Sequence, residues 1–177
     1  MKKILFSLLL LLCSLGTMAQ KPLNYSEVIQ VEGMSAKDIY NTAKRWFVAN
    51  FKDANSVIQV DNPTDGVLTG KGNIPFEYKN LTWTSSSGCI WFIVDIKVKD
   101  GRFKMTISDF RHESHAPKFA KEWSLGAIYD AYLPEYKHQH KKIWDKVEPM
   151  CIEEFSILVS SIKDFMKNNK VEEDDNW

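Results

Sequence analysis

The stretch Cys89–Arg111 constrains this chain more than any other. Cys89-Ile-Trp-Phe-Ile-Val-Asp-Ile-Lys-Val-Lys99 is β-branched and aromatic, Asp100-Gly101 has the composition of a two-residue turn, and Arg102-Phe-Lys-Met-Thr-Ile-Ser108 runs back. With a type I′ turn at Asp100-Gly101, Val98 faces Phe103, Ile96 faces Met105 and Val94 faces Ile107. One side of the ribbon is then apolar at every position. The other side reads Asp95, Lys97 and Lys99 against Arg102, Lys104 and Thr106. One side has to be covered and the other can stay wet. Beyond Ile107 strict alternation would turn Phe110 outward, and a β-bulge near Ser108 corrects it.

Two amphipathic segments can supply the cover. Ser35 is a helix N-cap with Asp38 three residues on, and Ile39, Ala43, Trp46, Phe47, Asn50 and Phe51 recur at helical spacing to about Phe51. Towards the other end Cys151, Phe155, Leu158, Val159, Ile162, Phe165 and Met166 form a second stripe. Glu153 and Glu154 suit the first turn of that helix, as does Pro149. Tyr136–Val147 reads as helical too, leading in through a break or kink at Pro149.

Strands fill the rest. Tyr25, Glu27, Ile29 and Val31 alternate with Ser26, Val28 and Gln30, as a half-buried strand does. Ser56–Val60 and Val67–Ile74 flank the turn cluster Asn62-Pro63-Thr64-Asp65-Gly66, and Phe76–Trp83 reads as a further strand or an edge extension, with Pro75 at its start. Leu68, Gly70, Gly72 and Ile74 share a face, where glycine marks the close approach of a helix. From Ser114 to Pro134 the pattern is lost, and Phe119, Trp123, Tyr129 and Tyr132 lie among Pro117, Gly126 and Pro134. Such rings either cover the sheet edge and a helix or face a ligand.

The expected organisation is a signal peptide over 1–19, a single domain over 20–170 with an aromatic insertion at 114–135, and an acidic disordered tail over 171–177. Lys2-Lys3, the apolar run Ile4–Leu12 and Thr17-Met18-Ala19 are the parts of a Sec leader, which implies a periplasmic or extracellular protein. Lipidation at Cys13 ranks second, because Leu10-Leu11-Leu12 is bulky where a lipobox takes a small residue. No other run is long and apolar enough to span a bilayer.

The chain carries 23 basic and 23 acidic residues, or 21 against 23 once Lys2 and Lys3 are removed, which argues against nucleic acid as a partner. Past the leader Cys89 and Cys151 remain, able to pair in an oxidising compartment or to sit as buried thiols. The four histidines, His112, His115, His138 and His140, fall in one window, but His138 and His140 would diverge on a helix. No metal and no cofactor is expected, with His112 and His115 the residual metal candidates. A hydrolase using His112, Asp109 or Glu113 ranks third among functions, since no triad or metal signature is complete.

The succession of strand, helix, four or five strands and helix, with the leader, the Gly70-Lys71-Gly72 strand, the long hairpin and the terminal helix, resembles a family of exported bacterial domains of unknown function described as having a TATA-binding-protein-like fold. The resemblance spans roughly Tyr25–Asp109 and the last helix. It implies an α+β fold, a curved antiparallel sheet with two helices on one face, and transfers no catalytic residues. Function is therefore sought on the open sheet face. A non-enzymatic module would bind a protein partner, or a second copy, around Trp91, Ile93, Asp95, Lys97 and Lys104. The alternative is a small-ligand or carbohydrate binder using the aromatic region 119–132, with Phe119, Trp123, Tyr129 and Tyr132.

Overall fold

The ribbon forms in the register its sequence implies. Val94 pairs with Ile107, Ile96 with Met105 and Val98 with Phe103, and all but the half-buried Val98 are fully enclosed. The structure, a computed structural model, describes residues 20–51, 57–78, 86–115, 123–132 and 138–169. The expected leader at 1–19, the expected acidic tail at 171–177, Phe119 and Tyr136 lie outside these residues. The elements are β1 (Tyr25–Gln30), α1 (Ala36–Asn50), β2 (Ile58–Asn62), β3 (Val67–Phe76), β4 (Gly88–Lys99), β5 (Arg102–Ser114), β6 (Gly126–Ala127) and α2 (His138–Asn168). They make an open antiparallel sheet in the order β1-β5-β4-β3-β2, with β6 on β5 beyond the end of β1.

The tip differs from a type I′ turn in one respect. Only Gly101 has positive φ, at 71°, and Asp100 contributes its carboxylate instead, accepting from the Ala36 N–H at 2.7 Å. Gly101 N–H donates to the Met34 carbonyl and Val31 N–H to the Gly101 carbonyl, so the tip is stitched to the link between β1 and α1. Farther along, the register shifts between Trp91 and Ile93, and Asp109 takes φ 53°. That is the expected bulge; it turns Phe110 inward to 1% exposure.

Both helices lie on this inner face. Ile39, Ala43, Trp46 and Phe47 of α1 are buried, and Trp46 Nε1 donates to Ser161 Oγ on α2 at 3.0 Å. The helix comes close because β3 has glycine beneath it: a Cβ on Gly70 would collide with the Phe47 ring, and one on Gly72 with Phe92 and Phe51. Alongside, Phe155 of α2 stacks on Tyr25 of β1 at 5.1 Å.

Three expectations are corrected. Pro75 and Phe76 end β3 rather than beginning a new strand, and 79–83 lie outside the described residues. Proline is tolerated there because β2 covers β3 only as far as Gly70, and among the described residues no strand pairs with the far side of β3 beyond it. The terminal helix is one 31-residue element with Pro149 inside it, so of the break or kink expected there the break is not made. Proline inside a helix costs about 3 kcal/mol, but Pro149 is exposed while Ile143, Val147 and Cys151 are buried before and after it, so packing carries the helix through. Finally, the region after Ser114 is not wholly without pattern: Arg111 pairs with Ala127, and Pro22 bridges to Tyr129.

Gly70→Ala is expected to lower the unfolding free energy by about 1–3 kcal/mol through overpacking against Phe47, read from urea denaturation. An unchanged midpoint would mean that the α1–β3 contact is looser than described.

Candidate functional site

The outward side of the sheet follows from the ladders as successive rows. Val67, Lys97, Lys104 and Val28 stand abreast on β3, β4, β5 and β1. Towards the tip comes the row Lys99, Arg102 and Gln30; in the opposite direction come Val60, Thr69, Asp95, Thr106 and Ser26, then Lys71, Ile93 and Ser108, then Asn73, Trp91 and Arg111. Trp91, Ile93, Asp95, Lys97 and Lys104 are therefore brought together on one face, as expected. Val28, at 52% exposure, and Val60, at 44%, share it.

Its polar groups are unevenly partnered. Asp95 accepts from Thr69 Oγ1 at 2.8 Å and lies 3.7 Å from Lys97 Nζ. Trp91 donates its indole N–H to Glu113 at 2.8 Å, and Lys71 Nζ sits 4.2 Å from the centre of its ring. Near the tip a groove of about 350 Å³ runs over Val28, Lys97, Lys99, Arg102 and Lys104. Lys97 and Lys104 are direct cross-strand partners, as are Lys99 and Arg102, so two pairs of like charge face each other. Val28 and Lys71 were not legible as members of this face, because their places depend on how β1 and β3 align with the ribbon.

The aromatic residues of the alternative site lie elsewhere. Trp123 packs on His140 at 5.0 Å, Tyr132 sits 6.0 Å from Trp144, and Tyr129 takes part in the bridge to Pro22. Two of the three lean on α2 and do not gather round a shared space.

The candidates for chemistry are likewise separated. His112 points inward and is buried; the Leu125 N–H donates to its Nδ1 at 3.1 Å, so the proton is on Nε2, which lies 3.0 Å from the Ser86 carbonyl. Both nitrogens are thus engaged by backbone, leaving no lone pair for a metal. Glu113 points to the other face of the sheet and is held by Trp91, while Asp109 sits exposed in the bulge. Among the described residues no group of three His, Cys, Asp or Glu could hold a metal ion.

Cys89 Sγ lies 3.8 Å from His115 Nε2, yet burial and then Glu113 push its thiol above the ordinary value, opposite to the activation of a nucleophile. Burial also raises the Cys151 thiol to about 12. The two cysteines are free, Cys151 in the core on the buried stripe of α2 and Cys89 on the outward register, so the pairing considered from sequence is not made.

A second acid–base group lies on the helical side. Lys44 and Tyr40 both donate to Asp61; Lys44, then Tyr40, holds its carboxyl below the usual range. Burial and then Asp61 raise the Tyr40 phenol. This ties α1 to β2.

Among known proteins, the family described as "Domain of unknown function (DUF4468) with TBP-like fold" matches residues 25–113. Two crystal structures share the architecture. A TBP-like protein from Parabacteroides distasonis is 13% identical with a TM-score of 0.57, the match covering 85% of this chain and 97% of the other. A DUF4468 family protein from Bacteroides ovatus is 17% identical with a TM-score of 0.53, over 80% and 85% of the two chains. No curated protein matches in sequence. At these identities the likeness is one of fold.

His112 generates a pH dependence. Burial lowers its pKa from 6.5, so its contribution to stability is complete above 6.5 and is lost as pH falls from there through the lowered folded value. The urea midpoint should fall between pH 7.5 and 5, with a slope of up to about 1.4 kcal/mol per pH unit from this group, and His112→Gln should flatten it. Equal slopes in the two proteins would show that His112 is not the titrating group.

Proposed function

The chain belongs to the DUF4468 family of domains of unknown function with a TBP-like fold, and, with no activity to inherit from it, we propose that it is an exported, non-enzymatic module that binds a partner protein through the open sheet face. The observation that carries this reading is the set of outward rows. Ile93 and Trp91 stand half-exposed beside Val28 and Val60, and among the described residues both helices pack against the opposite side. Apolar anchors ringed by charges are what a protein interface presents.

Export follows from the leader pattern at 1–19, with Sec delivery to the periplasm or beyond. No helix among the described residues is long and apolar enough to cross a membrane. The alternative, a small ligand held by Trp123, Tyr129 and Tyr132, has less support because two of these rings are already against α2.

Capture from envelope extracts, paired with light scattering of the purified chain, tests the proposal. The double variant Trp91→Ala, Ile93→Ala should lose a captured partner by at least about 30-fold, the equivalent of one interface hot spot of about 2 kcal/mol. A monomeric wild type whose captured set is unchanged in the variant overturns the reading. Mass spectrometry of the exported protein should find Gln20, or its cyclised form, first; an acylated Cys13 would instead mark a lipoprotein.

A further inference from the structure

The end of the open face away from the hairpin tip holds a pair of donors that partner binding leaves unused. Cys89 and Glu113 are direct partners on the β4–β5 ladder, and His115 follows Glu113 by two places, so it is the diagonal neighbour of Cys89 on the same side. The His115 N–H donates to the Ser87 carbonyl at 2.8 Å, which ties down the backbone under the ring just where β5 ends. Its Nε2 lies 3.8 Å from Cys89 Sγ. Cys89 is 6% exposed while His115 is exposed, so an ion reaches the sulfur past the imidazole.

This separation suits a shared metal ion. At the bond lengths of a zinc site, about 2.3 Å to sulfur and about 2.0–2.1 Å to imidazole nitrogen, donors in line stand about 4.3–4.4 Å apart. The observed 3.8 Å then corresponds to an angle at the metal of about 120°. The number of donors selects the ion. Structural zinc takes four protein ligands and catalytic zinc three. Here Glu113 is engaged by the Trp91 indole at 2.8 Å, and among the described residues no third His, Cys, Asp or Glu completes a set. Thiolate sulfur is soft and selects Cu(I), for which imidazole is a suitable second donor. Cu(I) is satisfied by two ligands, and a shift of about 0.5 Å at His115, the residue after β5, brings donor, metal and donor into line. Burial and then the Glu113 charge disfavour a bare thiolate at Cys89, against an opposing pull from Lys71, and a cation on the sulfur offsets both penalties.

We infer that Cys89 and His115 form a Cu(I) site, with the Cys89 thiolate and His115 Nε2 as its two protein ligands. Binding sends the thiol proton to solvent and leaves the ring proton on Nδ1; copper stays Cu(I), and nothing is oxidised or reduced. The site lies one row beyond Trp91 and stands independently of partner capture there.

Anaerobic titration with Cu(I), in competition with the chromogenic chelator bicinchoninate, tests this on the reduced full chain carrying Cys13→Ser, whose thiols are then Cys89 and Cys151. The parent should withdraw one ion per chain, and X-ray absorption of the complex should show one sulfur and one nitrogen donor. His115→Ala, at an exposed position, and Cys89→Ser should each weaken binding at least about tenfold, the lower bound for losing even a supporting partner of a metal ligand. Cys151→Ala, which removes the thiol enclosed in the core, should leave affinity unchanged. An equal concentration of Zn(II) should not displace the copper. Undiminished binding in His115→Ala would show a thiol acting alone, one ion per two chains would show sulfur from two copies, and displacement by Zn(II) would show a fuller ligand set. Each of these overturns the proposal.

Discussion

Everything in this molecule depends on the contact between α1 and the glycine-floored strip of β3 and β4. Phe47 and Phe51 stack on each other at 5.5 Å and come down over Gly70 and Gly72, which have no side chain to hold them off. That approach lets Val94, Ile96 and Phe92 be sealed from water, and each fully buried apolar side chain is worth about 1.5–3 kcal/mol. Exposed charge pairs on the other side are worth about 0–1 kcal/mol. Stability therefore resides almost wholly on the helical side, and the outward rows are free to vary in chemistry without endangering the fold.

Much of this was legible because the ribbon carries its own register. Apolar residues at every second position, with a glycine turn between, leave one alignment that keeps Val94, Ile96 and Val98 on the same side as Met105 and Phe103. The bulge could be anticipated for the same reason, since an outward Phe110 is costly. The helix through Pro149 was not legible. Local rules end a helix at such a residue, and only the burial of Ile143, Val147 and Cys151 on one continuous stripe overrides them. Likewise Pro75 reads as the start of a strand until it is known that β2 stops short of it.

On the open face, sequence identified the five ribbon residues and missed their neighbours, because alternation places a side chain on a face but does not say which strand lies alongside. The pairing of Lys71 with Trp91 and the nearness of Val28 to Lys104 are long-range facts. The same holds for His112. Read as a possible ligand, it is a clamp joining the Ser86 and Leu125 backbones, a role fixed by groups 26 and 13 residues away. Net charge gives no sign of the cations gathered at the tip, since it reports no geometry; the alternation of the ribbon is what puts Lys97, Lys99, Arg102 and Lys104 on one side.

The position of β1 has a temporal consequence. It opens the described sheet in chain order yet pairs only with β5, so that Ser26 meets Thr106 across 80 residues. At a synthesis rate of about 5–20 residues per second, the first strand waits roughly 4–16 s for its only neighbour to be made. Until then β1 keeps its backbone donors in water, so it joins the sheet only after its ribbon partner exists, and that interval is one in which a chaperone could intervene.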